Sequence, residues 1–164
     1  MNMPQTNLPK LSKIKQRFKQ FSFAKHEIFH WSPQNNTVFY DERELNEPEG
    51  IYQLLHEIGH ATSGHQFYSS GIQLLKIETE AWKKAQELAK DYGLKIQQKQ
   101  IERCLDSYRD WLHFRSICPQ CEAISIEVAA NQYHCFNCLQ KWSVPSDQQR
   151  RHYRLKQVFT PLES

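Results

Sequence analysis

The chain has 164 residues, of which 39% are hydrophobic and 24% are charged, a composition typical of globular proteins. This length accommodates one modest domain and a small appendage, and the net charge of +3 is too small to indicate nucleic-acid binding by itself. No apolar run approaches the length of a membrane span and the N-terminus lacks a signal-peptide core, so we expect a cytoplasmic protein with no membrane partner.

Residues 1–25 contain six basic side chains, all from Lys10 onward, and no acidic side chain. Their apolar residues recur at the three- and four-residue spacing of an amphipathic helix, which we predict for this region. The basic face is either a solvated surface, which is the commoner case, or a contact for nucleic acid. A β-hairpin is predicted next, because residues 27–31 and 37–40 are rich in β-branched and aromatic side chains and residues 32–36 are turn formers.

A helix from about residue 48 to residue 62 contains the first motif, His-Glu-Ile-Gly-His at residues 56–60. Residues four apart point the same way on a helix, so His56 and His60 can bind one zinc ion. Glu57 lies about 100° further round the helix, where it can reach a water on the metal and act as a general base. The alternative is a chance match in a chain that has eight histidines.

The next predicted helix, from about residue 72 to residue 92, is expected to supply the third zinc ligand. Glu78 falls inside its apolar stripe, four residues after Leu74 and four before Trp82. A buried carboxylate is costly unless it pairs with a cation or a metal. Glu78 is therefore the expected ligand and Glu80, on the polar face, is the fallback, whereas a salt bridge from Glu78 to a Lys or Arg is the alternative.

A further helix, from about residue 97 to residue 115, leads to two Cys-x-x-Cys knuckles separated by thirteen residues. Two knuckles at such a spacing can supply four thiolates to one tetrahedral zinc ion. These thiolates belong to Cys118, Cys121, Cys135 and Cys138. Short strands are predicted between and after the knuckles, and a segment this small needs the metal to hold it together.

The motif at residues 56–60, followed by Glu-Thr-Glu-Ala at residues 78–81, resembles the minimal gluzincin metallopeptidases, particularly the ImmA/IrrE-like group. The likeness covers about residues 26–92 and implies a zinc-dependent peptidase acting on a protein or peptide substrate. It also implies that the helix bearing Glu78 provides the third ligand and that Glu57 is the base. Trp82 and the four-cysteine module depart from the pattern of that group.

Residues 60–68 resemble, more weakly, the SprT-like proteases, which carry a C-terminal zinc ribbon and act on DNA-bound proteins. In that case His65 would be the third ligand, which requires Gly64 to break the helix and redirect the chain. A non-catalytic adaptor, whose ribbon binds nucleic acid or protein, is the remaining alternative.

The sequence thus predicts an α+β fold with a small β-hairpin or sheet and three to four helices that carry a zincin site, plus a C-terminal zinc ribbon. We expect two zinc ions, one catalytic and one structural. The expected segments are a basic helix at 1–25, a zincin-like metallopeptidase domain at 26–116, a zinc ribbon at 117–145 and a basic tail at 146–164. The tail is either solvated or a short helix that contacts nucleic acid.

Overall fold

The computed structural model describes residues 8–145 and 160–161, and this part of the chain has the predicted α+β fold. Its helices are α1 (Leu11–Arg17), α2 (Pro48–Thr62), α3 (Gly71–Lys90) and α4 (Gln98–Ser116), with a 3₁₀ turn at Glu44–Asn46. Its strands are β1 (Ser22–Lys25), β2 (His30–Ser32), β3 (Thr37–Tyr40), β4 (Ile126–Ala129), β5 (Gln132–His134), β6 (Lys141–Ser143) and β7 (Thr160–Pro161). None of the described helices is long and apolar enough to cross a membrane. The basic tail predicted at 146–164 lies outside the described residues, except for the backbone of β7.

Backbone contacts divide the described chain into two compact units. The first consists of the chain up to Phe67 together with Ile77–Ile101, and the second consists of Tyr68–Lys76 and the chain from Glu102 onward. The boundary expected at residue 117 therefore falls inside the second unit, which contains most of α4 as well as the four-cysteine segment.

The sheet of the first unit has the strand order β1-β3-β2. The predicted hairpin is present, because β2 and β3 pair in antiparallel fashion. Of the helix predicted within residues 1–25, residues 1–7 lie outside the described part of the chain, and α1 covers only Leu11–Arg17. The prediction is wrong beyond Arg17, since Ser22–Lys25 forms a strand that pairs in parallel with β3. The helical spacing of apolar residues agrees with the structure as far as Ile14 and Phe18, which are buried. Beyond Phe18, long-range strand pairing overrides the local pattern.

Helix α2 begins with Pro48 in its first turn, where the missing backbone N–H costs nothing, and buries most of its length. The core around it is apolar and includes Ile51, Leu54, Leu55, Ile58, Val38 and Trp82. Helix α3 lies close against α2 at Gly59, where a Cβ atom would lie only 2.5 Å from the carbonyl oxygen of Ala81. Because glycine has no side chain, the two backbones can meet there.

The second unit is built around the cysteine segment, whose core also contains Tyr133, Trp142 and Val144. Strands β4, β5, β6 and β7 form one sheet in that order. The carboxylate of Glu127 on β4 accepts hydrogen bonds from the backbone N–H of Gly71 (2.7 Å) and of Asn131 (2.9 Å). It thereby satisfies an N–H at the start of α3 that has no partner within the helix.

Candidate metal centres

The first candidate centre consists of three buried side chains from α2 and α3. Nε2 of His56 lies 3.1 Å from Nε2 of His60. The carboxylate of Glu78 reaches both rings, with Oε2 3.1 Å from Nε2 of His56 and Oε1 3.4 Å from Nε2 of His60. The structure therefore brings together the two imidazoles of the motif and the carboxylate that interrupts the apolar stripe of α3.

This triad of His56, His60 and Glu78 favours a positive charge at its centre. Burial by itself raises the pKa of Glu78, but hydrogen bonds to both imidazoles outweigh burial and hold that pKa well below its ordinary value. Burial by itself lowers the pKa of His60, but Glu78 and the nearby charge of Glu57 reverse this and raise it. A proton shared within the triad or a bound cation would each provide the positive charge.

Trp82 covers one face of the triad. Its ring stacks on the His56 imidazole with a centroid distance of 4.3 Å and an interplanar angle of 25°, and only 2% of the Trp82 surface is exposed. Nδ1 of His56 is buried and has no hydrogen-bond partner within residues 8–145. Trp82 thus has a structural role, since this large buried ring covers the His56 imidazole.

Glu57, the expected general base, lies on α2 between the two histidines and is 9% exposed. Its charge is close enough to the His60 imidazole to help raise the pKa of that ring. Glu57 is therefore a largely buried residue whose charge acts on the triad, and electrostatic effects are stronger in such an environment than in water.

The two alternative third ligands, His65 and Glu80, lie elsewhere. Gly64 has a φ of +69° and ends α2, so the chain does turn at this point. However, Nδ1 of His65 lies 3.0 Å from Nδ1 of His60, on the side of that ring away from Nε2. Glu80 is half exposed and its Oε2 lies 3.1 Å from Nε2 of His65. Neither side chain joins the group formed by His56, His60 and Glu78.

We expect Gly59→Ala to loosen this centre. The added methyl group would meet the Ala81 backbone at a distance that real Cβ atoms do not adopt, so α3 and Glu78 would have to move. Overpacking lowers the free energy of unfolding by about 1–3 kcal/mol. The better helix propensity of alanine raises it by about 1 kcal/mol.

Thermal unfolding and metal titration of the Gly59→Ala chain would measure this effect. Gln53→Ala, a change of a half-buried residue on the same helix, is the matched control. Unchanged metal affinity in the Gly59→Ala protein would show that the close backbone approach does not set the position of Glu78.

The second candidate centre is the cluster of four thiols in the second unit. The Sγ atoms of Cys118 and Cys138 are 3.5 Å apart, as are those of Cys121 and Cys135. All four sulfur atoms lie within 4.8 Å of one another, so this cluster could bind a metal ion. Cys104, the fifth cysteine, is outside it.

Neighbouring thiols within the cluster shift the pKa values of Cys135 and Cys138. The backbone N–H of Cys138 is the main cause that lowers the pKa of the Cys135 thiol to about 6. The backbone N–H of Gln140 by itself lowers the pKa of Cys138, but burial and the neighbouring thiols raise it to about 12. Four adjacent thiolates repel one another, and a divalent cation removes this conflict.

Two residues that connect the helices and strands of the second unit, Arg115 and Glu127, were missed at the level of the sequence. The indole N–H of Trp142 donates to the carbonyl of Arg115 at 3.2 Å, and the Arg115 guanidinium stacks over Trp111 and bonds Asn131 at 2.5 Å. The carboxylate of Glu127 on β4 accepts a hydrogen bond from the backbone N–H of Gly71 at the start of α3. An arginine at the end of a helix and an acid in a short strand look like ordinary surface residues, so no pattern could have singled them out.

Comparisons of the chain with protein-family models, with curated proteins and with solved structures found no match.

Proposed function

We propose that the protein is a zinc-dependent metallopeptidase of the minimal gluzincin type, with a catalytic zinc ion at the His56–His60–Glu78 triad and a structural zinc ion at the four thiols. The observation that carries the proposal is the meeting of the Glu78 carboxylate with both imidazoles, beside a buried Glu57. These are the donor types and the neighbouring acid that metal-assisted hydrolysis needs.

The spacing of the donor atoms fits zinc at both centres. For tetrahedral zinc with ligand distances near 2.0–2.1 Å, two nitrogen or oxygen ligands are about 3.3 Å apart, and the triad has separations of 3.1–3.4 Å. Two thiolates on tetrahedral zinc are about 3.8 Å apart, and the closest sulfur pairs are 3.5 Å apart. Three protein ligands are typical of catalytic zinc sites, whereas four thiolates are typical of structural ones.

A zinc ion in the triad would act as a Lewis acid and lower the pKa of a water molecule. The protein's own residues carry out the remaining steps. Glu57 takes a proton from the attacking water and later returns it to the leaving amine. Glu78, His56 and Trp82 hold the site dry, since all three side chains are buried.

Metal content is the first test. The full chain should hold two zinc ions, and a variant with all four clustered cysteines replaced by serine should keep one. The reverse variant, His60→Ala, should keep only the zinc bound by the thiols. A single zinc ion that is lost with the cysteines would contradict the proposal and favour the non-catalytic adaptor.

Peptide cleavage is the second test. The zinc-loaded full chain should generate new peptide termini, detected by mass spectrometry, in a library of peptides from a digested proteome. A chain that binds two zinc ions and cleaves none of these peptides, with or without added DNA, would contradict the assignment as a peptidase. Cleavage only with DNA present would instead favour the SprT-like alternative.

A further inference from the structure

We propose that His65 and Glu80 are positioning residues that fix the tautomer and the orientation of the metal ligand His60. This inference rests on the proposed zinc site at the triad. It assigns a role to two side chains outside the triad: His65 contacts the Nδ1 side of the His60 ring, and Glu80 contacts His65.

A series of hydrogen bonds leads from His60 through His65 to Glu80, away from the triad. Nε2 of His60 faces Glu78 and His56, whereas its Nδ1 lies 3.0 Å from Nδ1 of His65. Nε2 of His65 in turn lies 3.1 Å from Oε2 of Glu80. Each ring is thus contacted through both of its nitrogens.

Only one placement of the protons on the two rings is compatible with both metal binding and this series of hydrogen bonds. A ligand nitrogen must offer its lone pair, so His60 carries its proton on Nδ1. Nδ1 of His65 must then accept that proton's hydrogen bond, and His65 carries its own proton on Nε2, where the Glu80 carboxylate accepts it. A carboxylate at the outer end therefore determines which nitrogen of the inner ring is free to bind.

The segment that carries His65 is held independently of these side chains. The indole N–H of Trp31 donates to the His65 carbonyl at 2.9 Å, and the His65 backbone N–H donates to the His60 carbonyl at 3.1 Å. The His65 side chain is 9% exposed, whereas Glu80 is 49% exposed. A loop placed this firmly can orient a ring on the adjacent helix, which is the usual function of groups that contact the outer nitrogen of a ligating histidine.

Zinc affinity at the triad is the first measurement. Loss of such a partner typically weakens metal binding by about 10–100-fold, which we expect for His65→Leu. His65→Gln should recover part of the loss, because its amide oxygen can accept from Nδ1 of His60. Glu80→Ala should weaken binding more than Glu80→Gln, and Glu87→Gln, an exposed change on the same helix, should have no effect.

The affinities are read from chelator competition on the full chain, with cobalt substitution to separate the two centres, since thiolate and imidazole sites give different absorption spectra. If the wild-type triad binds zinc and His65→Leu binds it equally well, the positioning role is wrong and the proposed function stands. If the wild-type triad binds no metal, both are wrong.

The second measurement is nitrogen NMR of the histidine rings in the zinc-loaded chain, which shows which ring nitrogen carries the proton. If His65 had only a structural role, the tautomer of the His65 ring would not be fixed. The expected result is a proton on Nδ1 of His60 and on Nε2 of His65. A proton on Nδ1 of His65 would overturn the inference. Glu80→Ala removes only a half-exposed side chain, so this variant should stay folded even if His65→Leu does not. A zinc affinity of Glu80→Ala equal to that of the wild-type chain would also contradict the inference.

Discussion

Glu57→Gln is expected to abolish peptide cleavage while leaving both zinc ions in place. The amide has nearly the shape of the carboxylate but cannot accept a proton, and loss of a general base typically lowers the rate by about 10²–10⁴-fold. Because Glu57 is not one of the three grouped donor side chains, the metal content should stay at two zinc ions per chain. Initial cleavage rates on the peptide library and metal analysis of the same sample measure the two quantities.

The matched control for this variant is Glu49→Gln, the same chemical change at an exposed position in the first turn of α2. It should cleave like the wild-type chain. A Glu57→Gln protein that retained full activity would show that this carboxylate has no part in catalysis, whatever its distance from the triad.

Cys135→Ser is expected to unfold the four-cysteine segment and to remove one zinc ion. The free energy of zinc binding to four thiolates is about 10–16 kcal/mol and is available only to the folded state. Within the described residues, the apolar core around the thiols consists only of Tyr133, Trp142, Val144 and the cysteines, with Ala123 packed against it, so few side chains could replace the metal. Metal analysis and amide NMR spectra of residues in β4 to β6 would measure the loss.

Cys104→Ser provides the control, because Cys104 is a half-buried cysteine on α4 outside the cluster. It should keep both metal ions and the spectrum of β4 to β6. If Cys135→Ser also preserved that spectrum after the loss of zinc, the apolar core alone would stabilise the segment, and the metal would have another purpose.

Much of the fold follows from local patterns. The bounds of α2 were predicted from Pro48 and from the turn formers that follow Thr62, and the structure agrees. Glu78 stood out because a carboxylate within an apolar stripe needs a partner, and its partners are the two imidazoles. That these side chains bind zinc remains a prediction.

The features that were missed depend on residues far apart in the sequence. The parallel pairing of β1 with β3 cannot be read from residues 22–25, because strand preference there is decided by the neighbouring strand. The contact of Glu80 with His65 requires the turn at Gly64 and the packing of α3 on α2. Such contacts are fixed by tertiary structure and leave no periodic signal.

The close approach of the α2 and α3 backbones makes the two middle positions of the His-Glu-x-x-His motif unequal. Ile58 is one apolar core residue among several, so other aliphatic side chains of similar size could replace it. Position 59, by contrast, admits no side chain while Ala81 lies against it. A search for distant relatives that share this architecture should therefore require glycine at the second variable position, and should weight it as heavily as the histidines themselves.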